Sequence, residues 1–217
     1  MSFSSDVKED LSKIKNLSNK EIVKYELIGY LISNNTTVKN GKIYYQTENE
    51  YNINRFSKLL SNMNVVNYKI DIKVNNYVVT SPKIEIEQIQ YAEGRIEYIE
   101  NRDREEYLKA ILRGVFLGGG SINNPENKYH MEIILSSVTN MSTVIDILDN
   151  FSISAKKLKR KNGYSIYIKD GEQISNFLAL IGANNGVLKF EEIRVLKDIK
   201  NNVNRKVNYE TANLNKT

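Results

Sequence analysis

The chain contains no cysteine, a single histidine and no long apolar run, and each absence closes off a class of function. Without cysteine there can be no disulfide and no thiolate metal site, which suits the cytoplasm. The one histidine, His130, has no second histidine or cysteine to complete a zinc site, and its alternating surroundings suggest a surface strand residue. No apolar stretch approaches the ~20 residues of a membrane span. The opening MSFSSDVKEDL is polar and carries acids early, which a signal peptide does not. These absences predict a soluble cytoplasmic protein with no membrane partner, no metal, no cofactor and no evident small-molecule substrate. The 217 residues are 41% hydrophobic and 26% charged, enough for a real core in one large or two small domains.

Charge is present in excess of one sign and is unevenly spread. The net charge is +5. Residues 111–217 carry 15 basic and 10 acidic side chains, while the rest of the chain balances. A basic half suggests a polyanionic partner; the competing reading is a solvated surface in a lysine- and asparagine-rich chain.

Periodicity divides the chain into two similar halves. DREEYLKAILRGVFLG, capped by Asp103 with Glu106 three residues on, places Leu108, Ile111, Leu112 and Val115 on one helical face. A turn, SINNPENK, leads to an alternating strand from Tyr129. A helix through Met141, Val144, Ile145 and Leu148 follows, then a hairpin turning at Asn162-Gly163. The first half repeats this order. It has a helix over residues 20–33, a turn at Asn40-Gly41, a strand KIYYQT, a helix through Ile53, Phe56, Leu59 and Leu60, and a hairpin around Asn75-Asn76. Superposing Gly29 on Gly114 aligns the landmarks, which predicts a duplicated unit. Expected boundaries are 1–90 for the first half, 91–104 for a linker (with residues 82–102 as helix and linker) and 105–217 for the second half. Two further helices, over EQISNFLALIGA and VLKFEEIRVLKDIKNNVNRKV, close the chain before a polar tail.

RGVFLGGGS, with three consecutive glycines, invites a phosphate-loop reading, but no lysine follows the glycines and a capped helix precedes them. Packing explains them better. Gly114 and Gly118 share a helical face, as do Gly29 and Ser33, and small residues four apart let two helix backbones approach closely. Gly119 and Gly120 are expected to end the helix in conformations that glycine alone enters freely.

Two αββαββ units, each led by such a helix, resemble the LAGLIDADG homing endonucleases. That resemblance implies an α+β fold with pseudo-two-fold symmetry and a saddle-shaped antiparallel sheet. Leu112 to Gly120 lines up with the nine-letter motif, and Leu27 to Asn35 is its degenerate first copy. The endonucleases carry a metal-binding acid at the eighth letter, where this chain has Gly119 and Asn34, so the resemblance implies a lost cleavage centre. More narrowly, MSFSSDVKEDL, ILRGVFLGGGSINNPENKYHMEI, GEQISNFLALIGA and NRKVNYETANLNKT resemble the bacterial WhiA family of sporulation and cell-division regulators. Members join a degenerate LAGLIDADG-like region to a C-terminal helix-turn-helix domain, and the chain ends at Thr217, about where that domain would begin. The resemblance implies a non-enzymatic regulator of transcription, nucleoid-associated and bound to double-stranded DNA. Its setting would be cell division, chromosome segregation and sporulation, with other regulatory proteins as further partners.

Candidate DNA contacts are Lys156, Lys157, Lys159, Arg160 and Lys161 of the second hairpin, with Arg205 and Lys206 near the chain's end. The bland alternative is a solvated hairpin edge and the outer, polar stripe of a last amphipathic helix that also bears Arg194, Lys197 and Lys200. Tyr44, Tyr45, Tyr68, Tyr77, Tyr164 and Tyr167 read as half-buried strand residues before they read as base-stacking platforms. Two rival functions stand beside DNA regulation. One is a protein-binding scaffold whose DNA reading lies in the other domain. The other is an active nuclease recruiting Glu48, Glu50 or Glu126, none at the motif's offset.

Overall fold

Glycine is costly inside a helix, by about 1 kcal/mol against alanine, so its presence there needs a contact that repays it. That contact joins α2 (Lys20–Ile32) to α4 (Arg104–Gly119) in a computed structural model that describes residues 2–74, 76–82, 104–160 and 163–214. A β-carbon on Gly29 would collide with the Ile111 carbonyl oxygen, and would lie 2.8 Å from the Gly114 α-carbon. One on Gly114 would collide with the Glu26 carbonyl and lie 3.0 Å from the Gly29 α-carbon. A β-carbon on Gly118 would lie 2.9 Å from that of Ser33. The two helices therefore meet backbone to backbone at their glycines.

Around this pair the chain builds the same unit twice. α2 leads into β1 (Thr36–Lys39), β2 (Lys42–Thr47), α3 (Glu50–Asn62), β3 (Lys69–Lys73) and β4 (Asn76–Pro82). α4 leads into β5 (Gly120–Ile122), β6 (Met131–Leu135), α5 (Val138–Asn150), β7 (Lys156–Arg160) and β8 (Gly163–Ile168). Each unit folds into a four-stranded antiparallel sheet, in the matching orders β1-β2-β4-β3 and β5-β6-β8-β7. This is an α+β fold. A β-bridge from Ser33 to Leu135, with the Asn34 amide donating to the Ile134 carbonyl at 3.1 Å, stitches the end of α2 to the second sheet.

Helices cover one face of each sheet. Ile43, Tyr45 and Val79 of the first sheet, and Ile133, Ile166 and Ile168 of the second, are buried beneath them. Three more helices complete the layer. α1 (Phe3–Ser12), capped by Ser2, buries Phe3, Val7 and Leu11. α6 (Gly171–Ile181) ends at Gly182 in a left-handed cap (φ 88°). α7 (Asn184–Leu214) starts on a cap supplied from far away: Asp10 accepts from the Asn185 and Gly186 amides at 3.0 and 3.4 Å.

Several expectations need correction. Gly119 and Gly120 do not take left-handed conformations, since positive φ among glycines falls at Gly41, Gly163 and Gly182. Helix α4 instead passes directly into β5, so Ser121 and Ile122 belong to a strand and the turn starts after them. The strand expected from Tyr129 begins at Met131. The last helix, expected to carry Arg205 and Lys206, does so as α7 and continues through the polar tail to Leu214. Pro82, expected to open a helix and linker over 82–102, instead ends β4, and the rest of that stretch lies outside the described residues, as do the Asp103 cap, Asn75, Asn162 and Lys161.

Replacing Gly114 with alanine separates propensity from packing. Propensity alone predicts a gain of about 1 kcal/mol; the collision with the Glu26 carbonyl predicts a loss of about 1–3 kcal/mol or more. We expect Gly114→Ala to lower the denaturation midpoint, read by chemical unfolding.

Candidate nucleic-acid interface

The face of each sheet turned away from the helices is the surface free to meet a partner, and strand alternation decides what stands on it. In the first sheet Tyr45 and Val79 point inward and are paired with each other. Their neighbours therefore point outward: Lys42, Tyr44 and Gln46 of β2, and Asn76, Val78 and Thr80 of β4. Register carries the same parity to the edges. Lys39 pairs with Lys42, Lys69 with Thr80, Asp71 with Val78, and Lys73 with Asn76. The outer face thus carries Lys39, Lys42, Lys69 and Lys73 against one acid, Asp71, and all five are exposed. Among the described residues none of these lysines forms an ion pair. Tyr44 and Thr80 lie between them.

The second sheet is different. Its outward residues are Ser121, Glu132, Ile134, Ser165, Tyr167, Lys156, Leu158 and Arg160. Glu132 lies under Arg160, whose Nε and Nη2 donate to the carboxylate at 2.8 and 2.6 Å. His130 approaches the same carboxylate at 3.8 Å and stacks on Tyr167 with ring centroids 5.9 Å apart. Burial would push the Glu132 pKa up, but hydrogen bonds from Ser165 and Arg160 and the nearby positive charge hold it below its ordinary value. Arg160 is already neutralised within the fold.

The expected basic cluster is therefore split. Lys156 and Arg160 stand on the outer face, while Lys157 and Lys159, paired with the inward Ile166 and Tyr164, lean to the helical side of the edge strand. Arg205 and Lys206 are exposed on α7. The polar stripe of that helix is only partly on its outer side: Lys200 is exposed, while Arg194 and Lys197 are half-buried. Lys197 donates to the Pro125 carbonyl at 2.9 Å and sits over the Tyr129 ring at 4.6 Å, so it faces the body of the protein. Leu196 (59%) and Ile199 (55%), expected on the buried face, are exposed. Of the tyrosines, Tyr45 is fully buried, Tyr44 and Tyr167 are outward, Tyr77 and Tyr164 share the inward parity, and Tyr68 precedes β3.

Sequence reasoning missed the four lysines of the first sheet. The signal was present in K-x-Y-x-Q of β2 and K-x-D-x-K of β3, both at strand period. What was lacking was the register that puts them on one face.

Neither Asn34 nor Gly119, the two positions that the resemblance aligns with the endonuclease acid, supplies a carboxylate. Asn34 is exposed and uncharged. A β-carbon on Gly119 would collide with the Ile134 carbonyl oxygen and lie 3.2 Å from the Ser33 β-carbon, so a carboxylate has no room. Among the described residues no three acidic or histidine side chains gather in a way that would hold a metal ion. Glu48, Glu50 and Glu126 are spread over the first sheet's end, the start of α3 and the β5–β6 loop.

Comparisons with known proteins agree in direction. The WhiA LAGLIDADG-like domain family matches residues 108–200. Probable cell division protein WhiA of Ruminiclostridium cellulolyticum is 38% identical over 237 residues, covering all of this chain and 75% of that protein. The protein of the same name from Bacillus cytotoxicus is 37% identical, covering all of this chain and 74% of its own length. The crystal structure of full-length WhiA from Thermatoga maritima superposes with a TM-score of 0.78 at 26% identity, over all of this chain and 74% of that one. I-DmoI, crystallised with DNA and Mn, shares the fold with a TM-score of 0.52 at 15% identity, over 76% of this chain and 98% of its own.

Two outcomes follow from this geometry. Gly119→Asp is expected to destabilise the protein by about 1–3 kcal/mol or more in chemical unfolding, and to leave supercoiled plasmid uncut with Mg²⁺. Arg160→Gln is expected to raise the titration midpoint of Glu132, read by NMR of its carboxyl carbon, because burial then acts against a weaker counter-charge. An unmoved midpoint would mean that Arg160 is free for other partners.

Proposed function

The chain belongs to the WhiA family, and from that premise we propose that it is a non-catalytic, double-stranded-DNA-binding regulator of transcription serving cell division. Chromosome segregation and sporulation are the wider settings that the family resemblance implies, and the nucleoid is the corresponding location in the cytoplasm. The observation that carries this reading is the outer face of the first sheet, with four lysines that form no ion pair among the described residues, set around Tyr44 and Thr80 with a single acid. Strands lie ~4.8 Å apart and alternate side chains ~7 Å apart along a strand, so these ammonium groups span a patch on the scale of a phosphate backbone. Lysines there contribute affinity and position without reading sequence.

A second reading is supported by one feature. Leu196, Ile199, Val203 and Val207 form an exposed apolar row along α7, each more than half exposed. Such a row suits a protein partner, and would make the two sheets a scaffold whose DNA contacts lie elsewhere.

Salt-titrated binding to a duplex separates the two. Affinity should fall steeply with salt, by about 0.9 in log K per log unit for each phosphate neutralised. The double variant Lys69→Gln, Lys73→Gln should reduce that slope by about 2 and weaken all sequences alike. Lys157→Gln with Lys159→Gln, on the helical side of β7, should change it far less. Absence of duplex binding at low salt would overturn the DNA reading and favour the scaffold.

A further inference from the structure

A cavity of about 550 Å³ opens where the end of β2 and the start of β4 meet the first turns of α1. Its size falls within the range of small-ligand sites, about 300–1,000 Å³, but its lining is polar rather than apolar. Ser4, Ser5 and Lys8 of α1 form one wall, and the outward side chains of Asn35, Gln46 and Asn76 form the other. Glu48 is the one acid in the lining, and it is exposed to solvent.

Lys8 is the unusual member. Among the described residues its ammonium makes no hydrogen bond and no ion pair; its one close partner is the Phe116 ring, 5.9 Å from the nitrogen. Desolvation depresses its pKa from 10.5 to about 8, so it is still mainly a cation at neutral pH. A partly buried cation without a counter-charge costs stability, and nothing in the packing requires an ammonium over Phe116. The first turn of α1 adds its positive end to the same wall. The side-chain amides of Asn35, Gln46 and Asn76 add donors. No thiol, histidine or pair of acids accompanies them in the lining, so the arrangement binds rather than reacts.

We propose that this cavity is a site for a phosphoryl anion, with the Lys8 ammonium supplying the charge and the amides of Asn35 and Gln46 supplying hydrogen bonds. The phosphoryl group has two possible sources, a free nucleotide-sized ligand or a backbone phosphate of DNA. Binding of the first is independent of the lysine face of the first sheet.

The test is an NMR titration of the ¹⁵N-labelled chain with inorganic phosphate, with AMP and with a short blunt duplex. The amides of Ser4, Ser5, Asn35 and Gln46 are followed in the unmodified chain and in Lys8→Met. Saturable shifts with phosphate or AMP, weakened about tenfold or more in Lys8→Met, establish a free phosphorylated ligand. Lys8-dependent shifts with the duplex alone assign the site to a backbone phosphate. Lys8→Met removes a desolvated charge, so it is expected to fold. Gln46→Glu, at an exposed position, places a carboxylate in the same cavity and should weaken binding without touching the core. Lys69→Gln with Lys73→Gln should leave phosphate and AMP shifts unchanged, so failure of duplex binding by the lysine face is read separately. Absence of shifts with all three probes, or shifts indifferent to Lys8→Met, overturns the proposal.

Discussion

Two helix backbones in contact cannot tolerate a side chain between them, and most of the molecule is arranged around that constraint. Gly29 and Gly114 provide the contact. Glu26, one turn before Gly29, is consequently sealed in with no access to water (0% exposed). Its carboxylate must find charge inside the fold. Arg55 of α3 supplies it through Nε and Nη2 at 2.7 and 2.8 Å, and Arg113 of α4 approaches at 3.5 Å. Arg55 spends its other donors on the Ile14 carbonyl (2.7 Å) and Asn16 (2.6 Å), and Arg113 donates to the Ile181 carbonyl (3.1 Å). Buried pairs of this kind add little net stability over an apolar core, because desolvation consumes the Coulombic gain. Their geometric demand is severe, though. One carboxylate fixes α2, α3, α4, the α1–α2 connection and the end of α6 in one relative arrangement.

The same close approach decides what the second sheet can hold. With α2 and α4 in contact, the end of α2 reaches the second sheet and Ser33 bridges to Leu135. The Ile134 carbonyl then occupies the space beside Gly119 that a side chain would need. At the eighth letter of the LAGLIDADG-like motif, the space a side chain would need is filled by main chain. A carboxylate side chain at Gly119 is thus excluded by the packing, and a substitution at that position alone would not make room for one. The outer face of that sheet is correspondingly self-contained, with Arg160, Glu132, His130 and Tyr167 satisfying one another.

What could be read from sequence followed local signals. The helices through Ile53–Leu60 and Leu108–Val115 and the turn at Asn40-Gly41, with φ of 50° and 68°, have patterns complete within a few residues. Helix α1 did not, because three apolar residues in ten make a narrow stripe, and its partner Phe190 is far along the chain (ring centroids of Phe3 and Phe190 6.0 Å apart). Helix α7 misled for a related reason. Its lysines looked like a solvent stripe, yet Lys197 finds carbonyls of the β5–β6 loop, a contact no periodicity encodes. The basic cluster at 156–161 was visible as composition, but in an edge strand alternate residues go to opposite faces, so a run of lysines is never one patch.

Strand parity also decides how charge is shared between the outer faces of the two sheets. Net charge by segment points to the second half, whereas the exposed, unpaired positive charge on the sheets is concentrated in the first. Charge that is neutralised inside the fold contributes nothing to counterion release, so Arg160 does not count toward affinity while it holds Glu132. A saddle built from two equivalent sheets would grip DNA symmetrically only if both outer faces were equally basic. Among the described residues the first sheet presents four lysines without an ion pair, and the second presents Lys156 beside a satisfied Arg160 and an exposed Leu158. Duplicated topology has therefore diverged into an asymmetric surface. One half presents a row of exposed lysines, and the other a face whose arginine, glutamate and histidine are drawn to one another.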